Sequence, residues 1–230
     1  MMDVLGQALH DYYHNLSSRK LWIHNKYGLK EEMPVSIYFR PLHAMPEIEL
    51  LALENCKGKV LDIGAGAGSH SLALQAGGAD VAALEISPKA CEIMKLRGVQ
   101  KIIQHDVFTF KGERFDTLLL LMNGIGITGN ISGLRQFLQQ AKKLTKRHGQ
   151  LLFDSSDVAY LYNGNIPDTD NYYGEILYRY EYKKQKTEWF NWLYIDKEML
   201  SQTALKEGWK TQFIGVDDHD QYLARLTLKE

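Results

Sequence analysis

Several things that would narrow the function at once are scarce in this sequence. There are two cysteines, Cys56 and Cys91, in 230 residues. Neither stands in a metal-ligand spacing and the pair makes no disulfide framework, so a zinc module and a disulfide-stapled secreted domain are both excluded. No long hydrophobic run is present: the longest, "TLLLLM", falls far short of the roughly 20 apolar residues needed to cross a bilayer. The opening "MMDVLGQALHDYYHN" has no basic start and no extended apolar stretch, so no secretory signal is expected. Charge of either sign is not in excess, with 27 Lys and Arg against 28 Asp and Glu. The chain therefore carries no global field that would draw it to nucleic acid or to an anionic membrane. The basic runs "AKKLTKRHG" and "YKKQK" read as solvated faces, and nucleic acid is not expected as a partner. These absences describe a cytoplasmic protein with no membrane partner.

What is present is an ordinary globular balance, 45% apolar and 24% charged, in a length that suits one α/β domain. The segment 3–16 places Val4, Leu5, Ala8, Leu9, Tyr12, Tyr13 and Leu16 on one stripe of an amphipathic helix. His10 and His14 lie one turn apart on the other face, where two solvated histidines are the expected reading. A second helix starts near Pro46, with Glu47 and Glu49 at its positive end, and runs to about Glu54. From residue 59 strands and helices alternate: "KVLDI", "SHSLALQAG", "DVAALEI", "SPKACEIMKLRG", "VQKIIQ", "FDTLLLLM", "LRQFLQQAKKLT" and "QLLFD". Continuous apolar strands between amphipathic helices predict a parallel sheet covered on both faces. The last third changes character. "GEILYRYEY" and "TEWFNWLYI" suggest an aromatic hairpin joined by "KKQK". A helix capped by Asp196 and stopped by Gly208 follows, and "WKTQFIGV" and "QYLARLTL" close the chain as a second hairpin around "DDHD".

The chemistry concentrates around "VLDIGAGAG", residues 60–68, where a buried strand breaks into glycines at alternate positions. Glycine takes positive φ and lets backbone approach a ligand, and a turn into a helix aims free N–H groups at a bound group. The next strand ends at Glu85, where a carboxylate can accept both hydroxyls of a ribose. The third runs into "QHDVF", so that Asp62, Glu85 and Asp106 finish or nearly finish three neighbouring strands. Open α/β sheets bind ligands at that edge. A dinucleotide fingerprint, G-x-G-x-x-G, would need Gly or Ala at Ser69, and the sequence reads D-x-G-x-G-x-G instead. An acid beside the loop repels a pyrophosphate and suits a ligand with a positive amine. A nicotinamide-dependent oxidoreductase is therefore the disfavoured alternative.

"VLDIGAGAG", "VAALEISPKA", "IIQHDVF" and "FDTLLLLMNGIG", with the closing hairpin, resemble the motifs of class I S-adenosylmethionine-dependent methyltransferases over roughly residues 40 to 228. The resemblance implies a Rossmann-like, doubly wound, mostly parallel seven-stranded sheet. Its last strand would be antiparallel, with the cofactor across the carboxyl edge. It further implies that Gly64, Ala65, Gly66 and Gly68 pass beneath the methionine part and that Asp62 faces its ammonium, directly or through water. Glu85 would hold the ribose, Ile86 would pack on the adenine, Asp106 would bond its amino group and the Val107 N–H a ring nitrogen. Met122 and Asn123 would line the methionine end. The expected organisation is a single domain: a helical N-terminal cap (1–56), a cofactor-binding core (57–154), an inserted hairpin or lid (155–195), and a closing helix and antiparallel hairpin (196–230).

Methyl transfer is a displacement on an already activated leaving group, so positioning and desolvation can supply much of the rate, and no triad or metal cluster is required. "MNGIGITGN" follows the fourth strand, where an acceptor side is expected, with Asn123 as a ligand contact. It is not the Asn-Pro-Pro-aromatic signature of enzymes acting on exocyclic amines in DNA. Tyrosines and tryptophans crowd the inserted hairpin; most are expected to pack, while Tyr172 could belong to a lid. Tyr38 and Arg40, in "SIYFRPLH", are candidates for the opposite wall, Arg40 for a carboxylated substrate. The expected acceptor is a small molecule; a non-catalytic cofactor-binding module and an RNA or protein methyltransferase are the alternatives.

Overall fold

Val60 and Leu61, and the run Leu118, Leu119, Leu120, have no polar side to turn toward water, so their strands must be covered on both faces. The structure, a computed structural model describing residues 3–16, 19–26, 28–162, 165–166, 170–217 and 220–229, buries all five essentially completely. Part of the closing turn expected at 217–220 lies outside the described residues.

The chain runs α1 (Val4–Tyr13), β1 (Leu21–His24), β2 (Glu31–Met33), α2 (Glu47–Glu54), β3 (Lys59–Ile63), α3 (Ser69–Ala76), β4 (Asp80–Glu85) and α4 (Pro88–Arg97). It continues through β5 (Ile102–Gln104), β6 (Phe115–Leu120), α5 (Ile131–Leu144), β7 (Thr145–Ser156), β8 (Glu175–Tyr182), β9 (Gln185–Lys186) and β10 (Phe190–Leu193). It ends with α6 (Lys197–Lys206), β11 (Trp209–Val216) and β12 (Gln221–Leu228). Seven strands form the main sheet in the order β11-β12-β7-β6-β3-β4-β5. β3, β4, β5, β6 and β7 pair in parallel, and β12 runs antiparallel between β7 and β11. This is the doubly wound sheet with a reversed last strand that the motifs imply.

Strand parity sorts the core into two faces. Leu61, Leu118, Leu120, Leu151 and Phe153 pack with Phe137 and Leu138 of α5 and with Trp209. Val60, Leu119 and Leu152 pack with Ile48 and Ala52 of α2 and Leu74 of α3. The same parity places Asp62 and Asp154, the next alternate residues after Val60 and Leu152, on the α2 side at the carboxyl edge. Helix ends follow local rules. Ser87 caps α4 by accepting the Ala90 N–H, Pro88 opens the helix, and Gly98 closes it at φ +94°. Asn130 caps α5 one turn earlier than periodicity alone suggests, because Gly133 interrupts the apolar stripe in its first turn.

The aromatic hairpin belongs to a second sheet, ordered β10-β8-β1-β2 with β9 alongside β8. β1 and β2 lie in the segment expected as a helical cap, which thus carries strands as well as α1. They are four and three residues long, too short for a period-two signal, and exist because β8 offers Arg179, Tyr180 and Glu181 as pairing partners. α1 docks on α4: Leu9 packs with Ala90 and Ile93. Asp3 caps α1 through the Gly6 N–H (2.9 Å) and accepts the Ser87 hydroxyl (2.6 Å), so the caps of the two helices are bonded to each other. Among the described residues no helix is long and apolar enough to cross a membrane.

β8 and β9 are joined by a two-residue turn, with Tyr182 opposite Gln185 and both Lys183 and Lys184 at positive φ (49° and 68°). Asn-Gly is the usual content of such a turn, and a left-handed L-residue costs about 1–2 kcal/mol. Lys184→Gly relieves one of these positions and loses some chain entropy on folding, so it is expected to stabilise the protein by about 0.5–1 kcal/mol. A urea unfolding midpoint that stays put or falls in the variant contradicts the turn assignment.

Candidate active site

The glycine turn leaves β3 at the carboxyl edge of the sheet. Gly64 has φ +72° and nothing within 4 Å of where a Cβ would lie, so both its conformation and the open space beside it are used. At Gly66 the Tyr38 ring lies 3.3 Å from the position a Cβ would take. Bare backbone here admits an aromatic lid on one side and a carboxylate on the other.

That carboxylate is Glu85. Its Oε2 accepts the Gly66 N–H at 2.9 Å, and its Oε1 accepts the N–H groups of Ile86 (2.8 Å) and Ser87 (2.9 Å). Burial raises its pKa and these three N–H groups oppose the rise. The side chain is thus turned toward the glycine loop and held in a fixed orientation. Ile86, next in sequence, is 65% exposed and free to pack against a flat guest. At the end of β5, Asp106 accepts the Phe108 N–H at 2.9 Å through Oδ1, while Val107 is buried and its carbonyl is held by Gln140. Glu85, Ile86, Asp106 and Val107 therefore lie on adjacent strand ends, as the sequence places them.

Asp62 is tied to α3 within the protein. Only 2% exposed, it accepts the Ser71 hydroxyl at 2.6 Å, holding the first turn of α3 beneath the loop. Burial raises its pKa, while nearby His70 and the Ser71 bonds pull it down. His70 Nε2 meets Glu49 Oε2 at 2.8 Å, and the other Glu49 oxygen accepts from Arg40. Burial disfavours charged His70, yet Glu49 and Asp62 outweigh it and raise its pKa. Arg40 is thereby committed to Glu49 through Nη2, while its buried Nε has no partner among the described residues. Glu49 and His70 carry no sequence motif. Glu49 looked like a helix-dipole charge, and its burial arises only when α2 covers the sheet.

The opposite wall begins after β6. Met122 and Asn123 are consecutive left-handed residues, φ 61° and 53°, a costly backbone of the kind that collects at binding sites. The Asn123 N–H donates to Asp154 Oδ2 at 2.8 Å, and its Nδ2 donates to the Leu193 carbonyl at 3.2 Å. Trp192 of the inserted hairpin packs its indole against Gly126, where any Cβ would collide with it. Asp154 was not singled out, although a carboxylate ending an apolar strand is the same signal that marked Asp62. Tyr38 gives its hydroxyl to Met33 Sδ at 3.1 Å, and desolvation, then Tyr180, Glu85 and Tyr194, push its pKa well up. The N-terminal segment and the inserted hairpin thus meet over the glycine turn. Tyr172 serves elsewhere: its hydroxyl donates to Asp196 Oδ2 at 2.5 Å, fastening the hairpin to the cap of α6. A concavity of about 530 Å³ at the opposite, amino edge of the sheet, lined by residues including Lys57, Asp116, His148 and Arg225, contains none of these groups.

This donor and acceptor set fits S-adenosylmethionine. Open space beside Gly64 admits an extended chain, and the buried Arg40 N–H is unspent for a carboxylate. Glu85 and Asp106 offer acceptors to hydroxyl and amino donors, the stronger sort of hydrogen bond when the acceptor is charged. Comparison with known proteins agrees. A family model described as "Methyltransferase domain" matches residues 61–153. A search of the curated proteins finds no match. Among solved structures, a SAM-dependent methyltransferase from Bacteroides fragilis in complex with S-adenosyl-L-homocysteine is 41% identical, with a TM-score of 0.91 over 99% of this chain and 95% of that one. The sugar N-methyltransferase KedS8 from Streptoalloteichus is 15% identical, with a TM-score of 0.58 over 90% of this chain and 97% of that one. The CcbJ methyltransferase from Streptomyces caelestis is 12% identical, with a TM-score of 0.63 over 84% and 92%. These last two share the fold. The high identity to the Bacteroides protein along nearly all of both chains decides the family: this chain belongs to the S-adenosylmethionine-dependent methyltransferases.

Proposed function

We propose that the chain methylates a nucleophilic atom of a small molecule, with the cofactor lying across the carboxyl edge of β3, β4, β5 and β6. The observation that carries this reading is the Gly66–Glu85 hydrogen bond, which joins the glycine turn to a carboxylate at the end of the next strand. S-adenosylmethionine supplies an electrophilic methyl on a sulfonium, a leaving group that needs no further activation. The residues of this chain bind, orient and exclude water. Glu85 accepts a ribose hydroxyl with the one lone-pair position that its three N–H donors leave free on Oε2, since a carboxylate has about four such positions. Asp106 accepts from the adenine amino group, and Ile86 covers the ring. Gly64, Ala65 and Gly66 let the amino-acid part pass, while the space beside Gly68 is filled by Met94 and Val99; Asp62 supports the loop from below and Arg40 completes a carboxylate contact. Met122 and Asn123 face the sulfur end.

Tyr38 and the inserted hairpin cover the opposite side and keep water from the reacting atoms, where desolvation and alignment accelerate a displacement. The balanced charge of −1 and the enclosed tyrosine wall support a small acceptor over an RNA. The unpaired Cys56 and Cys91 suit a reducing cytoplasm.

Two measurements test the cofactor roles. Glu85→Ala is expected to weaken S-adenosylhomocysteine binding by about 10- to 100-fold in calorimetry, the range for losing a charge-assisted contact. Unchanged affinity removes Glu85 from the site, and tighter binding of NAD than of S-adenosylhomocysteine by the native chain overturns the reading altogether. Replacing adenine by hypoxanthine turns the amino donor into an acceptor. The native protein is expected to bind S-inosylhomocysteine at least about tenfold more weakly than the adenine compound. Asp106→Ala should erase that preference; a preference that survives places the adenine elsewhere.

A further inference from the structure

Two buried oxygens beside the sulfur end have no hydrogen-bond partner among the described residues: Asp154 Oδ1 and Asn123 Oδ1. Asp154 is 0% exposed and Asn123 9%. Asp154 Oδ2 accepts the Asn123 N–H and the Gln221 amide, and Asn123 Nδ2 donates one N–H to the Leu193 carbonyl. An acceptor buried without a donor costs about 1–3 kcal/mol, and a native structure retains such a cost for a reason. Here there are two on directly bonded residues, at a backbone already bent into consecutive left-handed conformations. We propose that Asp154 and Asn123 form the subsite of the methyl acceptor, and that the acceptor is a primary or secondary amine received there as its ammonium.

The chemistry of the two oxygens selects this class. Both oxygens accept, so a guest that satisfies the pair must bring at least two N–H or O–H donors. An ammonium does so and an alcohol does not. A carboxylate or phosphate acceptor is repelled by Asp154, whose other near carboxylate, Glu49, is in electrostatic reach from α2. Tyr178 and Tyr194 stand hydroxyl to hydroxyl at 3.3 Å, with Tyr194 in electrostatic reach of Asp154. Burial, opposed by the Asn123 N–H and Gln221 and reinforced by Glu49, lifts the Asp154 carboxyl to about 6. The other titratable groups facing it are the phenols of Tyr194, which follows β10, and Tyr222 on β12.

This inference rests on the cofactor reading above and adds one step. The bound ammonium gives a proton to Asp154 and becomes a neutral amine. Its lone pair then forms the N–C bond as the C–S bond breaks, the sulfur keeps that electron pair as a neutral thioether, and the nitrogen becomes the N-methylammonium. Asp154 afterwards returns its proton to solvent.

The test uses the S-adenosylhomocysteine complex of the full chain. Affinity of the native protein for S-adenosylhomocysteine, measured first, reports on the cofactor reading alone. Crystals of the complex are then soaked in ethylammonium chloride and, in parallel, in ethanol. The expected result is a nitrogen within hydrogen-bond distance of both Asp154 Oδ1 and Asn123 Oδ1 in the first soak and no ethanol there in the second. An ordered water alone at the two oxygens in both soaks overturns the proposal, and so does ethanol bound as well as ethylammonium. Asp154→Asn should abolish the ethylammonium density while leaving S-adenosylhomocysteine affinity within about threefold. A larger loss of that affinity would assign the oxygens to the cofactor instead.

Discussion

The bond from the Gly66 N–H to Glu85 is the constraint on which the rest of the site depends. It ties two parallel strands at the point where one chain segment has shed its side chains and the other ends in a charge. A carboxylate placed there without donors would face the full desolvation cost of its burial. Three backbone N–H groups offset part of that cost, and they also fix where the remaining lone pair points. The glycines serve the same geometry from the other side, since a side chain at 66 would press on Tyr38 and one at 64 would have to adopt a left-handed backbone.

Around this bond the molecule is organised as an apolar sheet with a polar layer at one edge. Leu61, Leu118 and Phe153 make one face of the sheet wholly hydrophobic. On the α2 face the apolar rows of Val60 and Leu152 end in Asp62 and Asp154, and Glu49, His70 and Arg40 gather there. Buried charges persist only when paired, and pairing runs from Arg40 through Glu49 to His70 and the field of Asp62. The second sheet covers this layer with residues from both ends of the chain, β1 and β2 from before the core and β8 and β10 from after it. Its attachment points to the core include Asn123 on Leu193, Trp192 against Gly126 and Glu175 on the Ile131 N–H.

Much of the core was legible because its signals are local. Apolar runs gave the parallel strands, Ser87, Pro88 and Gly98 bounded α4, and Asp196 capped α6, all by chemistry within a few residues. Glu85 and Asp106 stand out in the sequence because a charge at the end of an apolar strand is conspicuous. What escaped notice depends on contacts between distant segments. β1 and β2 are strands only by virtue of β8. Arg40 looked free for a substrate, but Glu49, brought in by α2, engages it. Tyr172 looked like part of a lid, but its hydroxyl holds the cap of α6. Asp62 carried the right charge in the right strand, yet parity and the closeness of α3 turn it beneath the loop onto Ser71.

The most direct test of the central claim is a crystal structure of this chain with S-adenosylhomocysteine. The account predicts a ribose hydroxyl donating to Glu85 Oε2, with the Gly66 N–H still on the same carboxylate and the homocysteine passing over Gly64. A ribose held by other residues, or a Glu85 side chain swung away from the glycine turn when the ligand binds, would contradict it.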